Sequence, residues 1–174
     1  MARMRDAEVV RRRRLGPRAG AHLYPPVTII LASLAVLIPA SLPGSWWPNL
    51  ALLTLVAWRL RRGDAFPHWW AVPFGLFYDL VSGHPIGLSV VVFTLAMIVA
   101  DLSDLRLRWR SHWTEWAIVV VLVIMAEAIE WLVALINGAR APFETIWPAV
   151  IISALLFPLI AVLIEKLDDF RLRR

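Results

Sequence analysis

Residues 116–136 read WAIVVVLVIMAEAIEWLVALI, and this stretch decides the class of fold. It is almost entirely apolar, and its length is close to the roughly 20 residues that a helix needs to cross the hydrocarbon core of a membrane. Its only charged side chains are Glu127 and Glu130. The stretch therefore predicts a transmembrane helix with two ionisable groups inside it.

The composition of the whole chain supports a membrane protein. Hydrophobic residues make up 60% of its 174 residues, whereas soluble domains contain about 45–50% on a similar count. Such a sequence is too apolar for a disordered chain. The absence of cysteine excludes a disulfide scaffold, thiol chemistry and zinc–thiolate sites. The predicted fold is an all-α, polytopic integral membrane helical bundle.

Six apolar stretches divide the chain into a central bundle and two tails. We place the spans at about 23–42, 46–60, 66–81, 86–100, 116–136 and 146–164. The predicted bundle is 23–166, with a basic tail at 1–22 and a shorter basic tail at 167–174. Spans two to four are at or below the usual range of about 17–25 residues. A four-span topology with two re-entrant segments is therefore the alternative.

The basic residues distinguish between these two topologies. With a cytoplasmic N-terminus, six crossings place 17 of the 18 Lys and Arg residues on the cytoplasmic side, and only Arg140 on the other side. Positive charge accumulates in cytoplasmic loops. We therefore expect a multi-pass protein of the bacterial cytoplasmic membrane with about six transmembrane helices and both termini in the cytoplasm. The net charge of +5 then reflects topology, and no nucleic acid is expected as a partner.

A search for catalytic motifs predicts a protein that is not an enzyme. The four histidines lie at span edges or in loops, and no serine or threonine lies in a nucleophile-elbow pattern. We predict no catalytic residue, no metal site and no cofactor. Glu127 and Glu130 lie three residues apart, on one face of a helix. They either lock the bundle through hydrogen bonds or line a cavity for a proton or a substrate, as intramembrane carboxylates often do.

The most specific motif joins spans three and four. Gly75, Asp79 and Gly83 are spaced four apart and share one helix face, where glycine permits close helix approach. Asp79 lies in the last turn of its helix, where the helix dipole disfavours an anion. It therefore needs donors, which backbone N–H groups of the next turn, a neighbouring helix N-terminus or Arg140 could supply. Gly83 suits a left-handed helix end, and Pro85 suits the first turn of the next helix.

Two prolines lie inside predicted spans. Pro73 interrupts span three and Pro158 interrupts span six. Since proline lacks a backbone N–H, we expect a kink at each position.

These motifs together resemble the family of rod shape-determining MreD proteins. The resemblance rests first on the corner just described, extended by Ser82, Gly87 and Leu88. It also includes Pro48-Asn49-Leu50 at the head of span two, Trp147-Pro148, and Phe157-Pro158 before the basic end of the chain. Structural or interaction candidates are Gly75, Asp79, Ser82, Gly83, Pro85, Gly87, Glu127 and Glu130.

The resemblance implies a component of the bacterial cell-elongation complex, which organises lateral peptidoglycan synthesis. Its expected direct partner is the single-span protein MreC. The wider complex would include MreB, RodZ, RodA and a class B penicillin-binding transpeptidase, together with membrane lipids. The family is not known as enzymes. It is also similar in fold to the substrate-binding component of energy-coupling-factor transporters, so a small-molecule-binding membrane subunit is the alternative function.

Overall fold

A computed structural model describes residues 21–38, 47–63, 66–106, 112–138 and 142–172. Six α-helices and four short 3-10 segments make up its regular structure, with no strand in the described ranges. The helices are α1 Tyr24–Leu34, α2 Leu50–Arg61, α3 Ala71–Ser82, α4 Leu88–Arg106, α5 His112–Ile136 and α6 Ile146–Leu172. The 3-10 segments are Ala21–Leu23, Ala35–Leu37, His68–Trp70 and Phe143–Thr145. The prediction of an all-α fold is confirmed.

Two of these helices are long and apolar enough to cross a membrane. They are His112–Ile136 and the Ile146–Phe170 part of α6. Tyr24–Leu37 and Leu88–Ser103 are apolar but shorter. The sixth helix extends to Leu172, so the predicted C-terminal tail begins as a continuation of α6. The basic residues of 1–20 lie outside the described residues.

The short helix α2 lies at the centre of the bundle. Every residue from Ala51 to Leu60 is buried, and α1, α4, α5 and α6 all pack against it. Asn49 caps its N-terminus, with Oδ1 accepting a hydrogen bond from Leu52 N at 2.9 Å. The indole Nε1 of Trp58, which is fully buried, donates to Thr28 Oγ1 of α1 at 2.8 Å. A helix enclosed on all sides need not match the thickness of the lipid by itself.

The two prolines have different surroundings. Pro158 lies inside α6, as the sequence predicts, and removes the backbone hydrogen bond to Ala154 O. Trp116 of α5 satisfies this carbonyl, since its indole Nε1 donates to Ala154 O at 2.9 Å. Pro73 instead lies in the first turn of α3, which begins at Ala71. The missing N–H there costs no helix bond, so a kink at Pro73 is not required.

Helices α3 and α4 pack closely against each other at Gly75. A Cβ atom at this position would come within 2.5 Å of Val90 N and 2.6 Å of Val90 Cα. Both atoms belong to the backbone of α4, so they cannot move away as a side chain can. The glycine therefore fixes how closely the two helices pack.

We expect Gly75→Ala to lower the free energy of unfolding by about 1–3 kcal/mol, the usual cost of overpacking. The measurement is chemical or thermal unfolding of the purified protein in detergent. Leu80→Ala is the matched control, because Leu80 lies on the same helix and is 72% exposed. Equal stability of the Gly75→Ala variant and the wild type would contradict this account of the packing.

Candidate functional site

Asp79 links the end of α3 to the start of α4. Its side chain is buried, with Oδ2 accepting from Gly87 N at 2.7 Å and Oδ1 accepting from Ser89 N at 2.9 Å. These N–H groups lie at the N-terminus of α4, on the residue before the helix and in its first turn, where backbone donors have no partner within the helix. The positive end of the α4 dipole thus compensates an anion that the C-terminus of α3 disfavours. Arg140, the other candidate donor, lies outside the described residues.

The chain between the two helices makes a tight turn that depends on two glycines. Gly83 ends α3 with a φ of 75°, and its N–H donates to Asp79 O at 3.0 Å. Gly87 has a φ of 99°, which is also in the region that favours glycine. Ser82 Oγ donates to Tyr78 O at 2.7 Å, within its own helix. Pro85 lies in the turn, because α4 begins only at Leu88, and not in the first helical turn as expected.

Polar side chains of α2, α3 and α5 meet beside this turn. Asn49, the residue that caps α2, makes a side-chain hydrogen bond with Glu130. Asp79 lies within electrostatic range of Glu130, and Tyr78 lies within range of Glu127, Glu130 and Asp79. We call these five residues the corner cluster. Asp79, Glu127 and Glu130, which lie in two separate stretches of the sequence, thus belong to one part of the bundle.

Asn49 and Tyr78 are the two members of the corner cluster that are not among the candidates predicted from the sequence, and Asn49 carries the clearer signal. Its position before an apolar helix is a typical capping signal. The side chain is buried and serves two helices, because Oδ1 accepts from α2 while the amide contacts Glu130 of α5. The capping signal could have identified its local role, but not its contact with α5.

His84 lies in the turn between α3 and α4. Its ring packs edge-on against Tyr78, with ring centroids 5.8 Å apart. Burial lowers the pKa of His84, although the nearby Asp79 carboxylate opposes the shift. The imidazole is therefore neutral at pH 7. Within the described ranges, no group of three His, Cys, Asp or Glu side chains could hold a metal ion.

A second polar network lies at the opposite end of α2, around Arg59. This side chain is only 4% exposed, and its Nε donates to Asp101 Oδ1 at 2.6 Å. Its Nη1 donates to two carbonyl oxygens, those of Gly63 and Phe66, and the distance to Phe66 O is 3.0 Å. His68 contacts both Arg59 and the Asp101 carboxylate. Arg59 is one of the 17 basic residues that the sequence assigns to the cytoplasmic side, where it is expected to lie in a loop. It is instead a buried residue of α2 that organises the chain leading to α3.

Two further ion pairs join the end of α2 to α6. Arg61 Nη2 lies 2.8 Å from Glu165 Oε2, and Arg62 Nε lies 2.8 Å from Asp168 Oδ2. The three arginines that follow span two are therefore all paired with carboxylates of other helices. Asp101 comes directly after an apolar stretch, and Asp168 follows the end of another by four residues. This position at the ends of spans is the signal that could have predicted carboxylate partners for the arginines.

Replacing Asp79 by alanine leaves the buried N–H of Ser89 and the partly buried N–H of Gly87 without an acceptor. An unsatisfied buried donor costs about 1–3 kcal/mol. We expect the Asp79→Ala variant to be present at lower levels in membranes, measured by quantitative immunoblotting. Asp79→Asn retains one acceptor oxygen and should have an intermediate effect.

Ser82→Ala is the control for this prediction, since its hydroxyl bonds only the carbonyl of Tyr78 in the same helix. Its membrane level should equal that of the wild type. Unchanged abundance of Asp79→Ala would show that the carboxylate does not hold the corner.

Comparison with known proteins identifies the family. The rod shape-determining protein MreD family matches residues 21–167, which include all five residues of the corner cluster. The Rod shape-determining protein MreD of Haemophilus influenzae is 27% identical over 123 residues, which cover 69% of this chain and 74% of that protein. No solved structure matches the chain. MreD proteins are known as shape-determining membrane proteins and not as enzymes, and this chain belongs to the MreD family.

Proposed function

We propose that this protein binds MreC in the bacterial cytoplasmic membrane and helps to maintain rod shape by organising lateral peptidoglycan synthesis. The family match over residues 21–167 is the observation that carries the proposal. The resemblance adds MreB, RodZ, RodA and a class B penicillin-binding transpeptidase as members of the wider complex. We assign this protein a structural role, in which it holds other components in position.

We propose six crossings with both termini in the cytoplasm. The contacts support a chain direction that alternates from one helix to the next, because the end of α2 lies near the start of α3 and near the ends of α4 and α6. The corner cluster lies at the start of α2, the end of α3 and the second half of α5, beside the start of α4. The end of the bundle that carries the Arg59 network would face the cytoplasm, since Lys and Arg accumulate on that side. The end that carries the corner cluster would face the periplasm.

We propose that the transmembrane helix of MreC packs into a groove over α2. Helices α1 and α6 flank α2 here and enclose a cavity of about 340 Å³. Its lining includes Thr28 and Ala32 of α1, Thr54 of α2, and Leu163 and Leu167 of α6. Small residues at the base of an apolar groove allow a second helix to approach closely. A single-span partner could then contact the central helix directly.

Ala32→Trp should fill this groove and weaken MreC binding. We expect co-purified MreC to fall by about tenfold, which corresponds to about 1.4 kcal/mol of binding free energy. The measurement is the ratio of MreC to the tagged variant after purification from membranes.

Leu155→Trp is the matched control, because Leu155 lies on α6 outside the groove and is 70% exposed. It adds the same side chain to the apolar surface and should retain MreC. Equal MreC recovery with Ala32→Trp, at normal membrane levels, would place the MreC contact elsewhere. Absence of MreC from the wild-type purification would contradict the proposed partner itself.

A small-molecule-binding subunit is the second candidate function. The observation that favours it is the meeting of Glu127, Glu130, Tyr78 and Asn49 inside the bundle. Ionisable groups within membrane proteins commonly mark substrate or ion pathways. A ligand or an energising ATPase recovered with the wild-type protein would support this function.

Glu127→Gln separates the two candidates. A neutral amide has nearly the same shape as a protonated carboxyl group, so a purely structural Glu127 should tolerate the change. On the leading proposal, we expect normal membrane levels, normal MreC recovery and normal cell shape in a strain that carries only this variant.

Glu130→Gln is the companion variant, because it preserves an acceptor for Asn49. Loss of rod shape with Glu127→Gln, at normal levels and with normal MreC recovery, would show that Glu127 does more than support packing. It would favour ligand or proton binding at the corner cluster.

A further inference from the structure

A groove opens beside Pro158 at the end of the bundle that carries the Arg59 network. It has a volume of about 260 Å³ and lies between the first turns of α5, the end of α2 and the middle of α6. Its floor is apolar and includes Trp116, Phe157, Pro158 and Val162. Among the residues that the structure describes, four ionisable side chains line its rim: Arg61, His112, Glu115 and Glu165. The groove is distinct from the one proposed for MreC.

The floor of this groove is held in place by the contact that compensates Pro158. Trp116 donates its indole N–H to Ala154 O at 2.9 Å, so its ring orientation is fixed by α6. Phe157 is buried beside Pro158 and contributes to the core. The apolar floor is therefore preformed, as is usual for small-molecule sites.

Exposed tryptophans indicate that the rim lies at the level of the lipid headgroups. Trp113 is 79% exposed and lies one helical turn from Trp116, near the rim. Trp69 is 62% exposed and follows His68 of the Arg59 network at the same end of the bundle. Exposed tryptophan is enriched at membrane–water interfaces, where an amphipathic ring is favourable. The apolar floor then extends from this level toward the hydrocarbon region.

The charges of the rim match a headgroup that carries both signs. Arg61 and His112 can bind a phosphate, and Glu165 and Glu115 can accept hydrogen bonds from an ammonium group. The Arg61–Glu165 pair is partly exposed, with side-chain exposures of 30% and 51%, so a headgroup can reach both partners. A purely anionic headgroup would satisfy the two basic groups but leave the carboxylates opposed to its charge.

We propose that this groove binds a phospholipid with a zwitterionic headgroup that contains a primary amine. The cavity is smaller than the roughly 300–1,000 Å³ of sites that enclose a whole ligand. It therefore holds the headgroup region and the first part of one acyl chain. The rest of the chain lies along the exposed apolar surface of α6, which includes Leu155. The lipid thereby covers the side of α6 that Pro158 interrupts.

The test uses the purified full-length protein, from which lipid has been removed in detergent, with phosphatidylethanolamine or phosphatidylglycerol added back. Bound lipid is counted by native mass spectrometry. We expect the wild type to retain phosphatidylethanolamine in preference to phosphatidylglycerol. Glu165→Gln should reduce this preference by about twofold to fivefold, the size expected for one partly exposed ion pair.

Asp168→Asn is the matched control for the charge. Asp168 pairs with Arg62 between the same two helices, but it does not line the groove. It should leave lipid retention unchanged. Equal retention of the two lipids by the wild type, or equal effects of Glu165→Gln and Asp168→Asn, would overturn the proposal.

A second pair of variants tests the floor without altering any charge. Val162→Phe narrows the groove and should release the bound lipid, whereas Leu159→Phe adds the same ring outside it. Both positions are exposed, so both proteins should fold. Retention of phosphatidylethanolamine by Val162→Phe would show that the lipid lies elsewhere. Because none of these variants alters the groove over α2, a failure here leaves the MreC proposal untouched.

Discussion

The Asp79 carboxylate accepts hydrogen bonds from two backbone N–H groups at the N-terminus of α4. The rest of the bundle depends on this interaction. A polar group in a membrane interior must find its partner within the protein, because lipid offers none. The two hydrogen bonds of Asp79 satisfy backbone donors at the start of α4, and the same bonds stabilise the charge of the carboxylate. The turn that brings the groups together requires Gly83 and Gly87, and the close approach of the helices requires Gly75. A single carboxylate and three glycines thus set the geometry of α3 and α4.

The same requirement explains why the polar residues gather at the two ends of α2. This helix is too short to cross a membrane alone, and it is surrounded by other helices. Asn49 at its start bonds α2 and α5, while Arg59 at its end bonds α4 and the chain that leads into α3. The interior between them is apolar. Polar contacts therefore specify which helices meet, and apolar packing of residues such as Trp58 holds them together.

The sequence predicts local features of this fold better than contacts between distant segments. The six apolar stretches, the glycine-rich corner and the need of Asp79 for donors all follow from spacing and from the helix dipole. The pairing of Arg59 with Asp101 does not, because 42 residues separate them and single-sequence patterns do not report register between helices. For the same reason the sequence indicates a kink at Pro158, but not that Trp116 completes the hydrogen bonding of Ala154.

Pro158 also shows how one sequence feature can affect two surfaces. Because Pro158 has no backbone N–H, the carbonyl of Ala154 accepts a hydrogen bond from the Trp116 indole instead. This bond joins the start of α5 to the middle of α6. The proline lines the groove beside the Arg61–Glu165 pair, while the opposite face of the same stretch of α6 lines the groove over α2 through Ile160 and Leu163. Occupation of one groove can therefore change the position of α6 and alter the other, since packed helices transmit displacement. If both proposals hold, the lipid and MreC would act on the same helix from opposite sides.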